Sequence, residues 1–256
     1  MTVSERPAGD GELADFGFES VPRGEKQRRV REVFDSVADR YDLMNDLMSL
    51  GLHRLWKRFA LAHTGLRPGA SALDLAAGSG DLSIGLAGQV GPQGQVISTD
   101  INLRMLSRGR DRLLDAGCAA NVACVLANAE RLPFRSRQFD CVTIGFGLRN
   151  VTDKSAALAS MFRVLRPGGR ALVLEFSKLA IEALVPLYDF YSFQVLPRLG
   201  RLVLDDAASY RYLAESIRRH PDQDSLAELM AAAGFERCEY HNLSGGIVAL
   251  HIGYRL

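Results

Sequence analysis

Residues 71–81 read Ser-Ala-Leu-Asp-Leu-Ala-Ala-Gly-Ser-Gly-Asp, an apolar run that breaks into a glycine-rich turn before an acid able to start a helix. About 20 residues further on, Gln95-Val-Ile-Ser-Thr-Asp100 ends in a second acid. A strand, a tight turn and a helix, then a strand with an acid at its carboxyl end, can hold a ribose diol at the edge of an open α/β sheet. Gly78 and Gly80 let the backbone approach a ligand and adopt dihedrals that a Cβ forbids. These residues predict a ribose-bearing ligand with Asp100 as its acceptor.

Details of the turn narrow the ligand. The frame Gly78-Ser-Gly80-Asp-Leu-Ser83 lacks the third glycine of a dinucleotide fingerprint. Asp81 puts negative charge at the helix start where a pyrophosphate would sit, and Asp74 adds a second carboxylate. Two acids repel a phosphate and suit a cationic ligand with a free amino group, which disfavours a nicotinamide or flavin cofactor. The pattern resembles motif I of the S-adenosylmethionine (SAM) methyltransferases, with Asp100 as their ribose-binding acid.

Such residues need a sheet to position them. Periodicity and punctuation predict helical material over 27–62, strand 71–76, helix 81–90, strand 95–100, helix 102–116 capped by Asn102, and strands 121–127 and 139–146. Thr152 or Asp153 is expected to cap a helix that Arg166-Pro-Gly-Gly169 ends, before a strand over 170–176. Strands alternating with helices imply a mostly parallel sheet with right-handed crossovers and helices on both faces. Segment 181–204 is apolar, broken by Pro186 and Pro197, and fits neither period. Helices are expected at 205–219 and 224–233, then strands 235–243 and 247–254 joined by Ser244-Gly-Gly246. Residues 1–26 read as a flexible arm ahead of a single domain over 27–256, in which 27–62 supplies N-terminal helices.

Composition excludes several classes. With 256 residues and 47% hydrophobic content the chain can bury a sizeable α/β core. A net charge of +1 argues against a dedicated nucleic-acid binder. Cys118, Cys124, Cys141 and Cys238 form no C-x-x-C pair, and the five histidines are scattered, so neither disulfides nor a metal site is expected. The N-terminus has no apolar stretch of a signal peptide, and no run approaches the ~20 apolar residues of a membrane span. These features indicate a cytoplasmic protein.

Two segments narrow the family. Tyr41-Asp-Leu-Met-Asn45 continues through Ser49 and His53 to Trp56, and Arg163-Val-Leu-Arg-Pro-Gly-Gly169 continues to Glu175-Phe-Ser177. Together they resemble the signature segments of the ubiquinone/menaquinone biosynthesis C-methyltransferases of the UbiE type. Gly145-Phe-Gly-Leu-Arg-Asn-Val-Thr-Asp153, Ser209-Tyr-Arg-Tyr-Leu-Ala-Glu-Ser-Ile217, His220-Pro-Asp-Gln-Asp224 and the Val248-Ala-Leu-His251 ending resemble them too, so the likeness covers residues 16–256, nearly the whole chain. Ala77, Ser79 and Gly145 depart from the residues common there. Ser79 keeps a hydroxyl, whereas Gly145 offers no side chain.

The resemblance implies a class I SAM-dependent methyltransferase (Rossmann-like) fold with an antiparallel last strand. It implies C-methylation of a polyprenylated quinol, either 2-polyprenyl-6-methoxy-1,4-benzoquinol or demethylmenaquinol or both. Gly78, Ser79 and Gly80 would hold the methionine part of SAM, Asp100 the ribose, and Asn128 and Ala129 the adenine. Gly145 would leave room beside the sulfonium. Arg149 would favour the quinol's phenolate electrostatically, with Asn150 and Tyr41 orienting its hydroxyls. Tyr41 and Trp56 read equally as core aromatics, and His53 is either a proton acceptor or a helix-packing residue. Residues 180–220, with Tyr191 and Phe193, would cover the substrate and touch the inner face of the membrane peripherally, or else pack as core helices. A complex with other quinone-biosynthesis enzymes and a homo-oligomer are compatible with this reading. Removing the Asp100 carboxylate is expected to abolish SAM binding and leave the fold intact.

Overall fold

The computed structural model describes residues 13–37, 45–46, 49–180 and 207–256. Its main sheet contains β3 (Ser71–Leu75), β4 (Gln95–Asp100), β5 (Val122–Leu126), β6 (Phe139–Gly145), β7 (Leu165–Phe176), β8 (Glu236–Leu243) and β9 (Val248–Tyr254). The order is β5-β4-β3-β6-β7-β9-β8. β3 through β7 pair in parallel, whereas β9 runs antiparallel to both β7 and β8. The chain leaves β3 toward one edge through β4 and β5, then returns to its other side with β6 and β7. That reversal opens a crevice at the carboxyl ends of the strands, the usual ligand site of such sheets.

Strand alternation sends side chains to two cores. Leu73, Leu75, Val142, Ile144 and Val173 pack on one face with Leu158 and Met161 of α5 (Lys154–Val164) and Leu226 and Met230 of α7 (Gln223–Ala232). On the other face, Ala72 and Val96 pack on α3 (Asp81–Val90). There Leu172, Leu174 and Leu250 meet Trp56 of α2 (His53–Ala62). Asn102 caps α4 (Leu103–Asp115) by accepting from the Met105 amide, and Asp153 caps α5 through the Ala156 amide. Both caps are those the sequence indicates.

Two regions differ from the sequence reading. β7 begins at Leu165, not residue 170, and takes in Arg166-Pro-Gly-Gly169. Leu165 pairs with Phe139 before a register shift, Gly168 takes a φ of 83°, and Gly168 and Gly169 bond to the Arg255 backbone. The Pro-Gly pair thus forms an irregularity within the strand instead of a stop. At the N-terminus, part of the expected arm is a hairpin, β1 (Leu13–Phe16) against β2 (Glu19–Pro22), and α1 (Arg23–Val37) starts before residue 27. Most residues of the hairpin are exposed and its partners are remote in sequence. Phe16 stacks on Tyr212 of α6 (Ala207–Arg219), with ring centroids 4.3 Å apart. Among the described residues no helix is long and apolar enough to cross a membrane. Segment 184–204, with Tyr191 and Phe193, lies outside the described residues.

Candidate active site

A cleft of about 860 Å³, counted out to bulk solvent, opens at the carboxyl ends of β3, β4, β5 and β6. Its walls carry Ala76 and Gly78 after β3, Thr99, Asp100 and Ile101 at the end of β4, Asn128 and Ala129 after β5, and Phe146 and Gly147 after β6. Ala76 and Phe146 both take left-handed backbone, with φ of 48° and 58°. Such strain in non-glycine residues tends to gather at functional sites. It turns the chain off β3 and β6 at the crevice. Gly109 on α4 faces the glycine turn so closely that a Cβ there would lie 2.6 Å from the Gly78 carbonyl oxygen. Helix and turn can meet only because Gly109 has no side chain.

Asp100 is held from two sides. Its Oδ2 accepts from the Gly78 amide at 2.9 Å and its Oδ1 from the Asn102 amide at 2.8 Å. Burial raises its pKa, against these backbone hydrogen bonds, which favour the anion. Each carboxylate oxygen can accept more than one bond, so capacity remains toward the cleft. Asn102 Nδ2 donates to Asp35 Oδ1 at 2.8 Å, and Arg104 Nη1 donates to the Asp35 carbonyl at 3.0 Å. These contacts tie α1 across the cleft, where Gln27, Val30, Arg31 and Phe34 form its outer wall.

A smaller recess adjoins the cleft through Ala76 and Phe146 and is lined by Lys57, Asp74, Ser79, Asp81 and Gly145. Asp74 is fully buried and accepts from the Ser83 and Thr143 hydroxyls at 2.6 and 2.7 Å. Burial nevertheless pushes its pKa up to about 6. Asp81 behaves oppositely. Burial would raise it, but Lys57 and Arg112, each 2.7 Å away, hold its pKa down at about 2. Asp81 is therefore not the phosphate-repelling acid that the sequence suggests: two cations neutralise it, and the recess offers both signs of charge.

The remaining wall comes from Asn150, Val151 and Thr152. Arg149 is buried just behind it, donating from Nη1 to Glu175 Oε1 at 2.7 Å and to the Phe146 carbonyl. Its guanidinium lies 5.3 Å from the centre of the Phe176 ring. Glu175 Oε2 also accepts from the Arg149 amide at 3.1 Å, which pins this turn to the end of β7. The Asn150 amide oxygen accepts from the Tyr212 hydroxyl at 3.0 Å.

Of the residues singled out in the sequence, Gly78, Asp100, Asn128, Ala129 and Asn150 line one cleft, and Ser79 and Gly145 line the recess. Gly80 lines neither: with a φ of 83° it precedes α3 and shapes the turn from outside. Arg149 stands behind the wall, paired to Glu175. The Asn128 side chain also accepts from the Glu130 amide at 2.9 Å, so it shapes the turn as well as facing the cleft. His53 is buried against Ser49 at 2.9 Å, and burial lowers its pKa. Trp56 packs with Phe146 and Phe176 and donates to Ser244, as a core aromatic would. Tyr41 lies outside the described residues. Sequence reasoning missed Lys57, Phe146, Gly109 and the place of α1 in the cleft wall. Phe146 belongs to a motif already singled out, but nothing local in the sequence brings Lys57 to Asp81.

Known proteins resemble this chain in sequence and in fold. The sequence model described as the ubiE/COQ5 methyltransferase family matches residues 23–255. A Francisella philomiragia protein named ubiquinone/menaquinone biosynthesis C-methyltransferase UbiE is 57% identical, covering 96% of this chain and 98% of its own. One of the same name from Legionella pneumophila strain Lens is 59% identical over 94% and 96%. A SAM-dependent methyltransferase from Aquifex aeolicus superposes with a TM-score of 0.61 at 14% identity, covering 84% of this chain and 98% of its own. YcgJ from Bacillus subtilis gives 0.53 at 22% identity over 74% and 70%.

Proposed function

Since the chain belongs to the ubiE/COQ5 methyltransferase family, we propose that it is a C-methyltransferase that methylates a ring carbon of a polyprenylated quinol, using SAM. Benzoquinol and naphthoquinol substrates both fit the names of its relatives. The observation that carries the reading is the Asp100 carboxylate, braced by two amides at the crevice where the strand order reverses.

The residues present fit SAM. The cleft beside Asp100, Asn128 and Ala129 suits an adenosine, with Asp100 accepting from the ribose hydroxyls. The recess suits an amino acid's two charges, with Lys57 toward a carboxylate and Asp74 and Asp81 toward an ammonium. Bound there, SAM supplies an electrophilic methyl on a sulfonium.

This chain's own residues must then make the ring carbon nucleophilic. A phenolic hydroxyl titrates near pH ~10 in water, so the site has to favour the phenolate. Arg149 lies behind the wall as the cationic half of its pair with Glu175 and turns its guanidinium dipole to the phenolate, and Asn150 and Tyr41 orient the quinol hydroxyls. Arg149 cannot act as a conventional base, so its role is electrostatic. α1 and the walls of the cleft hold the reactants aligned, which suits a displacement governed by proximity. The apolar tail calls for an apolar exit and peripheral membrane contact, for which segment 184–204 is the candidate in the sequence.

The test is methylation of a synthetic short-tail demethylated quinol with labelled SAM, the new methyl located by NMR. A methyl on ring carbon is expected. A methyl on oxygen would replace this reading with O-methylation, and quinone profiling in a deletion strain distinguishes the two ring systems.

A further inference from the structure

Tyr212 sits on α6 with its hydroxyl 3.0 Å from the Asn150 amide oxygen, and Asn150 lines the cleft. Burial drives the Tyr212 phenol well above its usual pKa; Arg149 opposes the shift and Glu175 adds to it. The group therefore stays protonated across the working pH range and remains a donor. Its ring is clamped from outside by Phe16 of the N-terminal hairpin, stacked at 20° between planes. The hairpin is itself anchored one turn along the helix, where the Phe18 amide donates to Glu215 at 3.1 Å. Tyr212 can thus neither ionise nor swing away readily.

A hydroxyl carries a single proton, and this one is given to Asn150 Oδ1. An amide whose oxygen is engaged on one side presents its NH2 on the other. We propose that Tyr212 is a positioning residue, which fixes Asn150 so that its Nδ2–H donor faces the ring hydroxyl whose deprotonation activates the quinol. This rests on the quinol reading above. Without the Tyr212 hydroxyl the amide is free to rotate, and its oxygen, turned inward, would repel a phenolate instead of stabilising it. The hairpin then acts on the chemistry at one remove, through Phe16 and Tyr212.

A double-mutant cycle on the full-length protein tests this, using Tyr212→Phe, Asn150→Ala and the double variant. The readouts are kcat and KM for the short-tail quinol, the pH profile of kcat, and SAM affinity by calorimetry. Tyr212→Phe retains the ring and its stacking on Phe16, and thermal melting verifies that it folds. Tyr212→Phe is expected to lower kcat about 10-fold, which is about one neutral hydrogen bond's worth of transition-state stabilisation. SAM affinity should hold, and the rising limb of the pH profile should move to higher pH. In the Asn150→Ala background the same change should add nothing beyond about twofold, because the two residues act as one unit. Losses that multiply in the double variant, or an unchanged kcat and pH profile in Tyr212→Phe, would overturn the proposal. A wild-type enzyme unable to methylate the quinol would instead overturn the substrate reading, and this proposal with it.

Discussion

Replacing Asp100 tests the cofactor assignment, but the choice of replacement decides what is measured. In Asp100→Ala the Gly78 and Asn102 amides both lose their acceptor. Each buried donor left unsatisfied costs about 1–3 kcal/mol, so the pair removes about 2–6 kcal/mol from a typical total of 5–15. This variant therefore loses stability along with the ribose acceptor, and weak SAM binding in it would report partial unfolding as much as a lost ribose contact. Asp100→Asn is the cleaner change. It keeps the shape and one acceptor oxygen, at the expense of one amide bond. On the ligand side, a charge-assisted bond is worth about 1.5–3 kcal/mol and a neutral one about 1. Two ribose hydroxyls then lose about 2 kcal/mol together, or roughly 30-fold in Kd. Calorimetry with SAM measures the affinity, and a melting curve with circular dichroism shows the fraction folded. A folded Asp100→Asn protein that bound SAM within about threefold of wild type would refute the assignment of Asp100 to the ribose.

Three further expectations follow from the same geometry. Asp74 has a folded pKa of about 6 against an ordinary 3.8, so between those values the folded state keeps a proton that the unfolded chain has released. Its contribution is complete below about pH 4 and lost as pH rises through about 6, worth about 3 kcal/mol; urea titrations should show this slope in wild type and not in Asp74→Asn, and equal slopes would contradict it. Gly109→Ala places a Cβ 2.6 Å from the Gly78 carbonyl oxygen, and should cost about 1–3 kcal/mol by overpacking while weakening SAM binding; an unchanged melting temperature and SAM affinity would count against the close approach. Arg149→Lys keeps a charge near Glu175 but not the planar fork, so turnover of the quinol should fall far more than SAM affinity, and unchanged turnover would remove Arg149 from the mechanism.

The parallel sheet was legible because each of its strands is an apolar run bounded by turn residues, and because Asn102 and Asp153 are caps that act within a few residues of themselves. The hairpin over residues 13–22 was not. Its strands are short and largely exposed, and what orders them is a stack on Tyr212 and a bond to Glu215, both far along the chain. The start of β7 was missed for a related reason. Arg166-Pro-Gly-Gly169 looks like a stop when read locally, but the Arg255 backbone, just past the end of β9, supplies the hydrogen bonds that keep the segment extended.

The same division between local and remote information runs through the site. Asp100 and the glycine turn announce themselves because strand, turn and acid are close in sequence. The electrostatics of the turn do not, because Asp81 meets Lys57 from α2 and Arg112 from α4. Read alone, Asp74 and Asp81 suggest a purely anionic pocket, which would favour SAM for its positive charge. With both cations in place, net charge no longer separates SAM from other ligands. What separates them is the pattern: Lys57 and Asp81 lie 2.7 Å apart in a recess beside the ribose acid. A pyrophosphate needs several converging donors, whereas the recess offers Lys57 beside the buried carboxylate of Asp74, so that an amino acid's carboxylate and ammonium can each find a partner of opposite sign. The mixed recess therefore discriminates better than an acidic one would, since a simple polyamine also satisfies two carboxylates but has no use for Lys57.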